Sequence, residues 1–147
     1  MTRVIAALLL TASVLAQESP PVFRGSWTAT ASPSRRRFQG SWSGQALPRR
    51  PNAAHGSWAL LDDRNRILLQ GTWTAEKSGR GWQGRWSARV MAGRSAPGRV
   101  MSGSWRADST ETGATLADML QRTLQGVTGT WLSGRLKGTW GVRASRQ

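Results

Sequence analysis

Glycine and tryptophan recur together along this chain of 147 residues, always with the glycine first. All nine tryptophans follow a glycine by one or two residues. Eight of them belong to Gly-x-Trp triplets: Gly25-Ser26-Trp27, Gly40-Ser41-Trp42, Gly56-Ser57-Trp58, Gly71-Thr72-Trp73, Gly84-Arg85-Trp86, Gly103-Ser104-Trp105, Gly129-Thr130-Trp131 and Gly138-Thr139-Trp140. The ninth, Trp82, directly follows Gly81. This recurrence predicts a fold that is built from one repeated unit.

The residues around each triplet alternate between apolar or small and polar in steps of two. From Phe23 to Ala29, the Phe, Gly, Trp and Ala residues fall on one face and the Arg, Ser and Thr residues on the other. This is the period of a pleated β-strand with one apolar face. Turn-forming residues separate the units, as at Ser32-Pro33-Ser34. The pattern predicts eight strands, at residues 22–30, 37–45, 54–61, 66–75, 81–90, 99–107, 126–133 and 135–143.

Eight short strands joined by short turns are typical of an antiparallel meander, and eight can close into an up-and-down barrel. The one interruption, residues 108–125, has its apolar residues on one helical face, at Leu116, Met119, Leu120 and Leu124. Ser109, Thr110 or Thr112 could cap the start of this helix, and Gly126 could end it. We predict an all-β fold, an eight-stranded antiparallel up-and-down barrel with one amphipathic helix between strands 6 and 7 closing one end. A helix that binds a partner's groove is the alternative.

The turns also predict which residues face each other across each hairpin. They place Trp27 opposite Gly40, Trp58 opposite Gly71, Trp73 opposite Gly84, Trp86 opposite Gly103 and Trp131 opposite Gly138. A cross-strand indole packed over a glycine restores packing that the glycine lacks. We therefore expect the indoles to fill the barrel in two levels of about four, from alternate strands. The interior, or ligand-lining, residues would be Trp27, Trp42, Trp58, Trp73, Trp82, Trp86, Trp105, Trp131 and Trp140.

The first triplet resembles a motif of the calycins, the superfamily of lipocalins and avidins. Gly25-Ser26-Trp27 is similar to the Gly-x-Trp on the first calycin strand, and Gly40-Ser41-Trp42 and Gly71-Thr72-Trp73 resemble the Gly-x-aromatic starts of later avidin strands. The resemblance implies a small barrel and, by analogy, a carrier of small ligands. The chain departs from the family by repeating the motif on every strand, by lacking tyrosine and by placing a helix before strand 7.

The N-terminal residues have the composition of a secretory signal peptide. Residues 1–16 contain one early cation, Arg3, then an apolar run, and they end in small or short residues up to Ala16. We expect cleavage before Gln17 and one exported domain at residues 17–147, periplasmic or secreted. Because the chain has no cysteine, core burial and backbone pairing must stabilise this domain without disulfides.

Arginine dominates the charge of the chain, which carries 21 Lys and Arg against 7 Asp and Glu. In a meander the turns from odd to even strands lie at one rim of the barrel. We predict that this rim binds anions through Arg35, Arg36, Arg37, Arg64, Arg66, Arg94, Arg99 and Arg135. The partners expected are anionic lipid, lipopolysaccharide or acidic polysaccharide, with peripheral membrane contact and a monomeric chain. The alternative is a solvated basic surface that reflects only the base composition of the genome.

Residues with catalytic chemistry are few. His55 has no second base or metal ligand at a recognisable spacing, and we interpret it as a surface histidine. Asp62 and Asp63 precede Arg64 and read as a charged hairpin turn rather than as a pair of catalytic acids. No phosphate loop, nucleophile motif or zinc spacing occurs, so neither enzymatic activity nor a cofactor nor a metal is expected.

Three functions remain open on the sequence. The first is an exported, non-enzymatic binding or structural module whose basic rim engages an anionic envelope component or polyanion. The second is a calycin-like carrier that holds an apolar or anionic amphipathic ligand among the indoles. The third is a small outer-membrane barrel with its apolar face turned to lipid. Nucleic-acid binding is disfavoured, because stacking on bases needs exposed rings and the tryptophans share a face with Phe23 and Phe38.

Overall fold

The computed structural model describes residues 19–79, 81–108 and 115–146. The chain is a closed antiparallel barrel in which each strand pairs with its neighbours in sequence and the last strand pairs with the first. The strands are β1 (Phe23–Ser32), β2 (Arg37–Leu47), β3 (Arg50–Leu61), β4 (Ile67–Ser78), β5 (Gly81–Val90), β6 (Val100–Ala107), β7 (Val127–Ser133) and β8 (Leu136–Ala144). One helix, α1 (Leu116–Arg122), lies between β6 and β7. The predicted fold class is confirmed.

The largest difference from the predicted strand bounds is the start of β3, at Arg50 instead of residue 54. Pro51 and its neighbours read as a turn in the sequence, because proline cannot donate a hydrogen bond to a strand ladder. The β2/β3 register shifts between Ala46 and Leu47, and Pro51 lies in this irregular stretch without a register partner on β2. The strand therefore extends past a residue that normally ends one.

The tryptophan face of every strand points into the barrel. In the first half of β1 the exposed residues Arg24, Ser26 and Thr28 alternate with the less exposed Gly25 and Trp27. The outward positions of the wall are mostly serine, threonine, glutamine and arginine, with neighbouring hydroxyls in contact, as between Ser43 and Ser57 at 2.8 Å. The wall is thus apolar inside and hydrophilic outside.

The hairpins from odd to even strands pair tryptophan with glycine in both directions. Trp27 lies opposite Gly40, and Gly25 lies opposite Trp42. The predicted pairs Trp58 with Gly71, Trp86 with Gly103 and Trp131 with Gly138 are confirmed in the same way. Between even and odd strands the register differs, since Trp42 faces Trp58 and Trp105 faces Trp131.

The predicted pairing of Trp73 with Gly84 is wrong, because Trp73 lies opposite Trp86. Ser78 pairs with Gly81, so the β4/β5 turn lies one residue later than the sequence suggested. Gly79, at φ +57°, is in the left-handed region, which glycine occupies without a steric penalty. The turn is therefore centred after Gly79, and the register moves by two residues.

The glycine of each triplet lets a main-chain carbonyl of an adjacent strand turn inward. At all eight positions a Cβ would overlap such an oxygen, for example Ala59 O beside Gly40 and Thr30 O beside Gly138. In five cases the same oxygen accepts the indole N–H of a tryptophan two strands away. These bonds join Trp27 to Ala59 at 3.0 Å, Trp42 to Arg143 at 3.4 Å, Trp73 to Ser43 at 3.0 Å, Trp105 to Thr74 at 3.0 Å and Trp131 to Thr30 at 3.2 Å. Each such set, which we call an indole clip, ties three consecutive strands together.

Helix α1 packs across one end of the barrel, as predicted. Leu116, Met119 and Leu120 are buried in a cluster with Trp42 and Trp82. The helix starts later than the sequence suggested, with Thr115 as its N-cap. The Thr115 hydroxyl accepts a hydrogen bond from the N–H of Asp118, and the Asp118 carboxylate accepts one from the N–H of Thr115. The caps suggested from the sequence, Ser109, Thr110 and Thr112, lie outside the described residues.

The indole clips predict that the triplet glycines do not tolerate a methyl group. Gly138→Ala should lower the free energy of unfolding by about 2 kcal/mol or more, because its Cβ displaces Thr30 O and the bond from Trp131. Gly141→Ala on the same strand is the matched control, since its Cβ would lie 3.7 Å from the nearest atom and should change stability by less than about 1 kcal/mol. Urea unfolding of both variants measures the difference. Equal losses in the two variants would contradict the clip.

Candidate ligand cavity and basic mouth

The tryptophans of the triplets form two rows inside the barrel. On odd strands, Trp58 makes edge-to-face contacts with Trp27 and Trp86, both at 5.7 Å between ring centroids. On even strands the contacts run from Trp42 to Trp73, from Trp73 to Trp105 and from Trp105 to Trp140, at 6.4, 6.3 and 5.6 Å. The even row lies nearer the helix, where Trp42 is buried in the helix-end cluster. The expected grouping of indoles by alternate strands is confirmed.

The interior is hollow, and the expectation that the indoles fill it is wrong. A cavity of about 290 Å³ runs along the barrel. In four of the five clips the indole lies over the glycine of the adjacent strand with its N–H on a wall carbonyl, so it follows the wall and does not point at the axis. A cavity of about 150 Å³ suffices for benzene, so this space suits a two-ring molecule or a medium-length alkyl chain.

The lining of the cavity is apolar. Eight of the nine predicted tryptophans contribute to it, together with aliphatic residues from β3, β4, β6 and β8. The lining hydroxyls are satisfied within the protein, since Thr123 donates to Leu120 O and Ser133 donates to Ser102 O at 2.7 Å. The cavity therefore favours apolar groups and offers little to a polar one.

Helix α1 closes one end of the cavity, and Trp82 lies in the buried cluster at this end. Met119, Leu120 and Thr123 line the cavity from α1 and the residue that caps its end. Trp82 is 1 % exposed and packs in the helix-end cluster, outside the cavity lining. Its spacing from glycine differs from that of the other eight tryptophans, which is the sequence signal for a different role.

The other end of the cavity reaches solvent between the hairpin turns. Phe38, Leu69, Met101 and Leu136 line this end, each within the first three residues of an even strand. Leu136 is 53 % exposed although it lines the cavity, so solvent reaches the lining here. We call this end the mouth. Their position two residues before each triplet glycine puts them on the tryptophan face, but the sequence did not show that they line a ligand cavity.

All eight arginines predicted to bind anions lie in or beside the turns at the mouth, and all are exposed. The structure therefore brings them to one end of the barrel: Arg35, Arg36, Arg37, Arg64, Arg66, Arg94, Arg99 and Arg135. We call this set the basic mouth. Asp62 and Asp63 are the acids in the same turns, and Lys137, the second residue of β8, adds a further cation.

Two arginines of the basic mouth have defined partners. The guanidinium of Arg36 lies 5.5 Å from the ring centroid of Phe38, which places this charge against a cavity-lining residue. Arg66 forms a salt bridge with Asp62 at 2.7 Å, the one ion pair of this set within the described residues. The remaining guanidinium groups face solvent, where they can meet an anion.

Asp62 organises the β3/β4 turn, as the sequence suggested. The backbone N–H of Arg66 donates to its carboxylate at 2.9 Å and holds the pKa of Asp62 below its usual value, and the side chain of Arg66 and the N–H of Arg64 act in the same direction. Because the pKa of Asp62 is lower in the folded protein than in the unfolded chain, its carboxylate stabilises the turn fully at pH values above the ordinary aspartate pKa. That contribution is lost as the pH falls through the lowered pKa.

The helix end carries a mixed charge. Arg24 and Arg50 are exposed there, and Asp118 and Glu76 lie at the same end. His55 is exposed on the outer wall, with Gln45 at 3.4 Å, and the described residues contain no cluster of three metal-ligating side chains. In the same ranges, no helix has the length and hydropathy needed to cross a membrane.

The chain was also compared with known proteins. No family model, curated protein or solved structure matches it.

The hollow interior predicts that the cavity accepts both a larger side chain and a small hydrocarbon. Ala29→Leu should leave stability unchanged or raise it, whereas a filled core would lose about 1–3 kcal/mol. Naphthalene should raise the unfolding temperature of the native chain, and this rise should disappear in Ala29→Leu. Thr28→Leu, which adds a side chain to the outer wall, is the control and should keep the response. A destabilised Ala29→Leu with no naphthalene effect in any variant would mean that the interior is solid.

Proposed function

We propose that the chain is an exported, non-enzymatic carrier of a small ligand with an apolar body and an anionic head. This function is supported by the position of the cavity, because an apolar space of about 290 Å³ ends at a mouth that carries eight arginines. The apolar body would lie among the indoles, and the head would remain at the mouth beside the guanidinium groups.

Arg36 and Arg135 are the arginines best placed to meet the head group. Arg36 lies against the ring of Phe38, and Arg135 lies in the turn between Ser133 and Leu136, so both adjoin residues that line the cavity. A carboxylate or sulfate head group at this position would face water on one side and the guanidinium groups of Arg36 and Arg135 on the other. Its contribution to affinity would be modest and would weaken as salt is added.

A second candidate function is binding of an anionic envelope component or polyanion by the basic mouth itself. It is favoured by the exposed arginines, of which Arg66 alone has an acidic partner within the described ranges. An outer-membrane barrel has less support, because the outward wall positions are mostly serine, threonine, glutamine and arginine, whereas a lipid-facing wall is apolar. Export is part of the proposal and rests on the sequence of residues 1–16, which lie outside the described residues.

Three amphiphiles with one tail and different heads test the carrier function. We expect decanoate to bind more tightly than decanol and decyltrimethylammonium to bind least, as measured by calorimetry and by tryptophan fluorescence. Arg36→Ala/Arg135→Ala should lower decanoate affinity by about twofold to tenfold and leave decanol affinity unchanged. Arg24→Ala/Arg50→Ala removes the same charge at the helix end and should have no effect.

The outcomes separate the parts of this proposal. Equal affinities for all three amphiphiles would leave an apolar carrier and overturn the role of the basic mouth. No binding of any amphiphile at millimolar concentration would overturn the carrier itself.

A further inference from the structure

The large apolar side chains that the structure leaves exposed are concentrated at one end of the barrel. Of the six in the described residues, five lie at the mouth: Ile67, Met91, Val100, Leu132 and Leu136, which are 42 to 61 % exposed. The sixth, Val22, precedes β1 at the helix end. Exposed aliphatic side chains that are grouped and surrounded by charge indicate an interaction surface.

Three of these side chains, Ile67, Val100 and Leu136, belong to a repeat at the starts of the even strands. Every even strand begins with an arginine followed by an apolar residue: Arg37-Phe38, Arg66-Ile67, Arg99-Val100 and Arg135-Leu136. In the first pair the arginine begins β2, and in the other three it directly precedes the strand. Because even strands all start at the mouth, the fold places four Arg-apolar steps around one edge.

An edge that alternates arginine with apolar residues matches the interface of an anionic lipid bilayer. Guanidinium groups pair with lipid phosphates, and aliphatic side chains enter the acyl region just below them. A soluble polyanion offers phosphate, sulfate or carboxylate groups but no apolar phase. It accounts for the arginines and leaves Val100 and Leu132, on the outer wall, without a reason to be exposed.

We propose that the mouth docks on an anionic phospholipid bilayer, with the Arg-apolar edge inserted into the headgroup region. Docking in this orientation turns the open end of the cavity towards the membrane and the helix end towards water. An amphiphile could then pass between the bilayer and the cavity with its tail shielded from water. This inference rests on the second candidate function, the anion-binding mouth, and names an anionic bilayer as its partner. It does not require that the cavity bind a ligand.

Site-specific labels test the orientation, and the absence of native cysteine makes them simple to place. A polarity-sensitive dye is attached to Val100→Cys at the mouth or to Val22→Cys at the helix end. With mixed phosphatidylglycerol and phosphatidylcholine vesicles, we expect a blue shift and quenching by doxyl lipids for the dye at position 100. The dye at position 22 should keep its emission in water. Equal responses at the two positions would overturn the proposed orientation.

Matched variants test the chemistry of the edge by vesicle flotation and by retention on heparin. Val100→Ser/Leu132→Ser should weaken vesicle binding by about tenfold and leave heparin retention unchanged, because heparin has no apolar phase. Arg99→Ala/Arg135→Ala should weaken both, by about fivefold per charge on vesicles at low salt. Val22→Ser, at the other end, is the control for the loss of an exposed apolar side chain.

Two results would overturn the proposal. One is vesicle binding that Val100→Ser/Leu132→Ser does not change, which would mean charge attraction alone. The other is retention on heparin without binding to the anionic vesicles, which would identify a soluble polyanion as the partner. Since Val100 and Leu132 lie outside the cavity lining, decanoate binding should persist in this double variant, so failure of docking is distinguishable from failure of the carrier.

Discussion

The indole N–H of a tryptophan reaches a main-chain carbonyl two strands away, and a glycine on the strand between them makes this bond possible. The glycine leaves room for the carbonyl to turn inward, and the indole then covers the same glycine. A buried indole N–H without an acceptor would cost about 1–3 kcal/mol, so this geometry also satisfies the polar atom of a residue that is otherwise apolar. Two of the clips cross the junction between β1 and β8 and so help to close the barrel.

The clip also explains why a barrel with so many tryptophans is hollow. An indole that bonds to the wall and lies over a neighbouring glycine extends along the wall, and the axis of the barrel stays free. A cavity lined by aromatic faces and closed by α1 at one end follows from this arrangement. At the other end the turns place arginine and aliphatic residues around the opening, so the proposed ligand site and the proposed membrane edge depend on the same topology.

Much of this architecture could be predicted from the sequence, because a two-residue period fixes the face of each strand and turn residues fix most hairpins. The pair of Trp131 with Gly138 follows from one Gly-x turn. The β4/β5 register did not follow, because two adjacent turn centres are compatible with the residues around Gly79. The hollow interior could not be predicted either, since an amino-acid pattern gives the face of an indole but not its tilt against the wall. Thr115 could not be singled out as the helix cap, because Ser109, Thr110 and Thr112 precede the same helix and have equally suitable hydroxyl groups.

Nuclear magnetic resonance of the indole groups tests the clip most directly, because couplings across a hydrogen bond identify donor and acceptor together. The indole clips predict couplings from indole Nε1 of Trp27, Trp73 and Trp105 to the carbonyl carbons of Ala59, Ser43 and Thr74, with slow exchange of these N–H protons with water. Absence of these couplings, together with indole protons that exchange as fast as those of free tryptophan, would contradict it.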